Sequence, residues 1–405
     1  MITNAVIAQV LRDRRRLNTA RAATARALTV DHRRLRGFAV VLTGVRRAGK
    51  STLLQMIGND KAGVLHADFE DPRLFGFGGE HVAAFLDVCT ELKCKTLLLD
   101  EVQVMQAWPL LVRGALDRNI AVYVTGSNAS LIAKDVSAKL TGRHLSSEVF
   151  PFSFAEYCAF RKQPLSEPAF RAYLDDGGFP GYLRTDEPAL LRELLRDIIY
   201  RDIAERYQIR QSRHLMSVAL YVMANLGLPA SFHKLAKALN IPTVGQVSRY
   251  CEYLEDAYLI FGLPKFEPSV KKRVVAPRKY YTVDNGLRQA NVVEAPVDLG
   301  RRCENAVYLA LRACTKDLAY AAETDRWECD FITKHAAIQV CADLTDDNLR
   351  REVAGLVGAS RQTKRKRALL LTLSRTDTIN EGGVNIDVMP IWKWLKQNGP
   401  QAATL

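Results

Sequence analysis

Between Phe38 and about Phe154, short apolar runs alternate with helix-length stretches. Phe38 to Thr43, Val64 to Phe69, Thr96 to Glu101 and Ala121 to Thr125 are each compact and rich in β-branched residues or leucine. Uninterrupted runs of this kind predict strands buried on both faces, and their alternation with helices predicts a parallel α/β sheet. Ser51 to Gly58 follows the first run and reads as a helix closed by a glycine.

The later chain changes character. Phe170 to about Asn225 predicts mostly helix, broken sharply at Gly177-Gly178-Phe179-Pro180-Gly181 and resuming as one long helix from about Ala189 to Tyr207. Phe232, Leu235 and Leu239 space as a helix, Asn240-Ile241-Pro242 as a turn, and Val244 to Leu259 as a longer helix. Short strands at Ile260-Phe261 and Tyr280 to Val283 follow, with basic Lys271-Lys272-Arg273 between them. Two helices about a tight turn and then a β-ribbon predict a winged helix-turn-helix. Gln246, Ser248 and Arg249 would then face a DNA groove, or the module would act purely in packing and protein contact. From about Gly300 a helix at Glu304 to Leu311 precedes strands at Leu318–Ala322, Trp327–Thr333, Ala337–Cys341, Ala368–Leu373 and Val384–Val388. No repeat or low-complexity segment interrupts this order.

Chemistry enters with Gly44-Val45-Arg46-Arg47-Ala48-Gly49-Lys50-Ser51-Thr52, a complete Walker A phosphate loop set between a predicted strand and a predicted helix. Glycines at 44 and 49 let the backbone amides curl toward an anion, and the helix N-terminus adds partial positive charge at the same point. All nine residues are expected at the nucleotide, with Lys50 on the β- and γ-phosphates and Ser51 on Mg²⁺. The strand Thr96–Asp100 ends in Asp100-Glu101, the form of a Walker B strand. Asp100 would orient the metal shell and Glu101 would polarise the attacking water. After the strand Ala121–Thr125, Ser127 and Asn128 are candidates for sensing the γ-phosphate or placing the water.

The chain has 405 residues, enough for several domains. Its 57 Lys and Arg against 44 Asp and Glu leave a net charge of +13, which favours a polyanionic partner, nucleic acid foremost. Residues 1–37 form a basic arm with arginines at 12, 14, 15, 16, 21, 26, 33, 34 and 36. Val6, Ile7, Val10 and Leu11 space as a helix docking on the next domain, and the arginines either touch phosphates or form a solvated face. No apolar run approaches the roughly 18 residues that span a bilayer, so no membrane association is expected. Eight scattered cysteines without paired spacing predict free thiols and a cytoplasmic protein.

Taken together, T-G-V-R-R-A-G-K-S-T, L-L-L-D-E-V-Q, V-T-G-S-N-A-S-L, L-T-G-R-H, P-F-S-F-A-E-Y and G-G-F-P resemble a family of bacterial and archaeal AAA+ ATPases. So do R-D-I-A-E-R, Y-C-E-Y-L-E-D-A-Y-L-I, K-Y-Y-T-V-D-N-G-L, E-N-A-V-Y-L-A-L-R and E-C-D-F-I further on. Members pair the ATPase with a C-terminal domain of unknown function. The resemblance implies that Arg143 is an arginine finger acting in a neighbouring subunit of a homo-oligomer, with a salt-bridged surface arginine as the plainer alternative. It implies that Gly178 and Pro180 lie in a lid motif near the nucleotide base, and that Asp68 restrains Glu101. It also implies a C-terminal domain of the restriction-endonuclease type. Glu304 and Asp330 match two of that fold's acids, whereas Gln339 stands where the strand acid belongs and Cys341 where the lysine belongs. A neutral amide and a thiol argue for a site that binds without cutting; Glu328, two residues before Asp330 on a strand, shares its face and is a substitute ligand.

The expected organisation is an α/β chain with a basic arm (1–37), an AAA+ P-loop core (38–165), a helical lid (166–228), a winged helix-turn-helix (229–297) and a nuclease-like domain (298–405). The expected function is that of an ATPase using ATP and Mg²⁺ to bind or remodel DNA. The alternatives are a nucleotide-controlled protein-binding switch and an ATP-regulated nuclease in DNA defence.

Overall fold

The structure, a computed structural model, describes residues 2–17, 24–26, 37–58, 62–105, 107–126, 140, 142–292, 299–324 and 326–398. It divides into two compact units, Met1–Phe150 and Pro151–Leu405.

In the first unit, strands β1 (Ala39–Thr43), β2 (Val64–Asp68), β3 (Thr96–Asp100), β4 (Ala121–Thr125) and β5 (His144–Glu148) form one parallel sheet in the order β2-β3-β4-β1-β5. All five residues of β1 are buried, as an inner strand covered on both faces requires. The strand ends lie level: Asp68 pairs with Asp100, and Leu42 with Thr125. The carboxyl ends of β1, β3 and β4 therefore converge, which is where open parallel sheets bind ligands. The helix Asn4–Leu17 belongs to this unit's core, with Ile7, Val10 and Leu11 fully buried alongside Phe69, Phe85 and Trp108. Burying each such aliphatic side chain contributes about 1.5–3 kcal/mol, so the arm's apolar face anchors it.

In the second unit, helices Phe154–Arg161 and Glu167–Asp176 start at serine caps, Ser153 and Ser166, each accepting an amide of the first turn. The expected long helix is α-helical only over Ala189–Asp197 and continues as a π-helix over Ile198–Glu205. The wider turn lets Ile198, Ile199, Asp202 and Ile203 all face inward. Helices Phe232–Ala238 and Val244–Asp256 precede β7 (Ile260–Leu263) and β8 (Arg278–Thr282), which pair antiparallel, with β6 (Pro229–Ala230) on the other side of β8. The basic Lys271 to Arg273 segment is a helical turn, Val270–Val275, with its side chains exposed. A helix, Leu299–Cys314, then leads to a six-stranded mixed sheet of order β13-β14-β12-β11-β10-β9. Its strands are β9 (Ala319–Glu323), β10 (Trp327–Ile332), β11 (Ala336–Val340), β12 (Arg367–Thr372), β13 (Asp377–Glu381) and β14 (Val384–Pro390), with the helix Asp346–Thr363 packed against it. Among the described residues, no helix is long and apolar enough to cross a membrane.

Candidate nucleotide site and a buried charge centre

The phosphate loop leaves β1 at Gly44. A Cβ there would stand 2.1 Å from the Val149 carbonyl oxygen, and Gly49 has φ +97°, so both positions demand glycine. Lys50 opens the helix Lys50–Gly58 and is 4% exposed; its Nζ donates to the Gly44 and Val45 carbonyls, each at 3.0 Å. Val45 and Ala48 are buried in the loop, Arg46 and Gly49 are half-buried, and Arg47 and Thr52 are exposed. From the N-terminal arm, Arg26 donates to the Ala48 carbonyl at 3.0 Å and to Phe150 at 2.6 Å, so an arm residue braces the loop from behind.

Ser51 Oγ donates to Asp100 Oδ1 at 3.1 Å. Both are hard oxygen donors, and they converge beside the loop, which is the donor chemistry magnesium prefers. Burial pushes the Asp100 carboxyl above its ordinary range, while hydrogen bonds from Thr125 and Ser51 oppose that rise. Thr125, fully buried at the end of β4, ties the two acids together. Its hydroxyl donates to Asp100 Oδ1 and accepts the Glu101 amide at 3.1 Å. Glu101 has φ +51°, a left-handed conformation that costs a non-glycine residue about 1 kcal/mol. Gln103 donates to Glu101 Oε2.

Asp68 accepts the Glu70 amide at 3.0 Å, and the Phe69 amide donates to the Asp100 carbonyl at 3.1 Å, so the end of β2 joins the same group. The Glu70 carboxyl is raised by burial and by repulsion from Glu101 and Asp68, with Arg46 pulling it down. Neither Thr125 nor Glu70 was singled out from the sequence. The signal for Thr125 was its place as the polar last residue of an apolar strand. Arg143 is partly exposed and pairs with Asp117 at 2.7 Å. Ser127 and Asn128 lie outside the described residues. Gly178 and Pro180 lie in the second unit, where the Gly178 amide donates to Asp284 Oδ2 at 2.6 Å and Pro180 opens a short helix.

The C-terminal candidates form a second group. Lys279, on β8 and 1% exposed, points its Nζ at Glu328 (2.6 Å), Asp330 (3.4 Å) and Glu304 (3.8 Å). Gln339 Oε1 accepts the Asp330 amide at 3.1 Å, and its Nε2 donates to Glu352 at 2.7 Å. Cys341 donates to the Asp343 carbonyl, and burial pushes its thiol up to about 12. A lysine does stand among these acids, but it comes from β8, where spacing along the C-terminal strands could not reveal it.

A glycine loop between β1 and its helix, carboxylates at the end of β3 and a five-stranded parallel sheet are consistent with a P-loop core of the AAA class. Residues 36–158 match a family model described as an AAA domain. Residues 167–295 match one described as a domain of unknown function. An uncharacterized protein of Methanocaldococcus jannaschii is 29% identical over 388 residues, covering 87% of each chain. One of Haemophilus influenzae is 28% identical over 326 residues, covering 74% of this chain and 80% of the relative. Among solved structures, C. elegans PCH-2 is 21% identical with a TM-score of 0.25, covering 42% of this chain and 47% of that one. Cdc6p from Pyrobaculum aerophilum is 12% identical with a TM-score of 0.26, covering 61% and 90%. At TM-scores this low the likeness defines no shared overall fold.

Proposed function

We propose that the chain binds ATP with Mg²⁺ on the loop 44–52, hydrolyses it, and uses the cycle to bind or remodel DNA through its second unit. The observation that carries the ATPase reading is the convergence of Ser51 Oγ on Asp100 Oδ1 at 3.1 Å beside the buried Lys50. Lys50 and the loop amides hold the phosphates, and Ser51 and Asp100 hold the metal, which when bound neutralises charge on the β- and γ-phosphates. Glu101 orients and activates the water. Thr125 fixes Glu101 by its backbone and Asp100 by its side chain. Arg143 remains partly open to solvent, as a finger acting in a neighbouring copy of a homo-oligomer must be, and Asp117 is its resting partner.

The DNA reading is supported by the net charge of +13 and by exposed basic residues on the module from β6 to β8, which we read as a winged helix. His233, Lys234 and Lys237 lie exposed on its first helix, Arg249 on its second, and Lys271 and Lys272 on the turn before β8. Gln246 and Ser248 also sit near the start of the second helix, donating to Tyr250 and Glu252. The region from 298 onward we read as nuclease-like and non-cutting, and the helices of 166–228 as a lid. The test is ATP turnover of the full chain with and without single-stranded, duplex and branched DNA. Stimulation by one of these supports the coupling, whereas turnover indifferent to all three favours the protein-binding switch.

A further inference from the structure

The second unit holds a fully enclosed ammonium. Lys279 sits on β8 of the three-stranded sheet, yet its Nζ lies among carboxylates from two other elements: Glu304 on the helix Leu299–Cys314, and Glu328 and Asp330 on β10. Burying a charge at 1% exposure is costly unless it is closely paired, and here three partners are supplied. The Tyr320 ring lies 5.3 Å from the same nitrogen and adds a cation–π contact.

The acids are themselves held in place. Tyr281 donates to Glu304 Oε1 at 2.6 Å, and the Val340 amide donates to Asp330 Oδ2 at 3.0 Å. One oxygen of each acid, Glu304 Oε1, Asp330 Oδ1 and Glu328 Oε1, faces the ammonium. A hard divalent ion would need those same oxygens at about 2.0–2.6 Å, and the ammonium already lies between them. The side chains that could add a ligand are committed elsewhere. Gln339 bridges the Asp330 amide and Glu352, and the Cys341 thiol donates to Asp343. Among the described residues, no group of three or more His, Cys, Asp or Glu side chains is set to hold a metal.

We propose that Lys279 is a tethered cation standing where a divalent metal would stand among Glu304, Glu328 and Asp330, so that this centre is closed to metal and instead fastens β8 to the six-stranded sheet. The excess negative charge is relieved at Glu328, whose side chain remains partly open to water. The inference concerns the second unit alone and stands or falls independently of ATP hydrolysis.

The test is thermal unfolding and Mn²⁺ binding of the nucleotide-free full chain, read for wild type, Lys279→Arg, Lys279→Ala and Lys279→Ala/Asp330→Asn. Wild type and Lys279→Arg should show no Asp330-dependent Mn²⁺ binding and no metal-dependent change in Tm. Lys279→Ala leaves the acids uncompensated and opens room for an ion. Its Tm should fall by about 10 °C without metal and recover most of that with millimolar Mn²⁺. Adding Asp330→Asn should abolish the recovery. Three results would each overturn the proposal. They are wild-type Mn²⁺ binding that Asp330→Asn removes, a Lys279→Ala chain as stable as wild type, and a Lys279→Ala chain that Mn²⁺ neither folds nor stabilises.

Discussion

The Asp284 carboxylate accepts the Gly178 amide at 2.6 Å, joining two segments 106 residues apart. Its other oxygen accepts the Leu287 amide at 2.7 Å and so caps the helix Asn285–Asn291. The G-G-F-P break and the V-D-N-G-L segment, which look unrelated along the chain, are two halves of one joint in the second unit.

Asp284→Ala strands these amides in a buried setting and should cost about 2–4 kcal/mol in denaturant unfolding, with Asp284→Asn costing less because one acceptor survives. Burial raises the Asp284 carboxyl to about 7 against the backbone amides that pull it down. A carboxyl raised on folding contributes stability that is fully present below the unfolded pKa, near 3.8 here, and is lost as pH rises through the folded one. Between pH 4 and about 7 the wild type should therefore lose stability relative to Asp284→Asn, in which this slope is absent.

Thr125→Val should separate positioning from binding. The substitution keeps the shape of the side chain and removes both the Asp100 and Glu101 hydrogen bonds. Misplacing an activating carboxylate by a fraction of an ångström to an ångström should lower kcat by about 10- to 100-fold, with ATP affinity little changed. Thr125→Ser, which retains the hydroxyl, should recover most of the rate. Equal loss in Val and Ser variants would assign Thr125 a packing role only.

DNA binding, if it uses the turn before β8, should depend on salt through Lys271 and Lys272, which are exposed there. Replacing both with alanine should reduce the slope of log K against log salt by about 1.8 on duplex DNA, uniformly across sequences. An unchanged slope would move the contact elsewhere.

The candidate site's loop and strand were legible because their residues are contiguous: a strand, a glycine loop and a lysine at one place, and an apolar strand ending in two acids at another. What escaped was built by tertiary contact. Thr125 matters because β4 ends level with β3, whereas the chain alone draws the eye to the polar residues just beyond the strand. Lys279 and Asp330 are 51 residues apart and lie in different sheets, so no spacing along either segment links them. The helix from Ala189 was expected to run on unbroken, but apolar periodicity does not distinguish an α turn from the π turns over Ile198–Glu205. Strand β13 escaped because Asp377–Glu381 is polar and largely exposed, although Gly382-Gly383 after it was a hairpin signal. Of the four spaced apolar residues of the arm, Ile7, Val10 and Leu11 are buried and Val6 only partly so.

The most direct measurement is phosphate release from ATP by the purified full chain with Mg²⁺, paired with equilibrium nucleotide binding, for wild type, Lys50→Ala and Glu101→Gln. Wild type should bind and turn over. Glu101→Gln should bind equally well and turn over at least about 100-fold more slowly, and Lys50→Ala should lose binding. A wild-type chain that takes up no nucleotide, or a Lys50→Ala chain indistinguishable from it, would contradict the account at its centre.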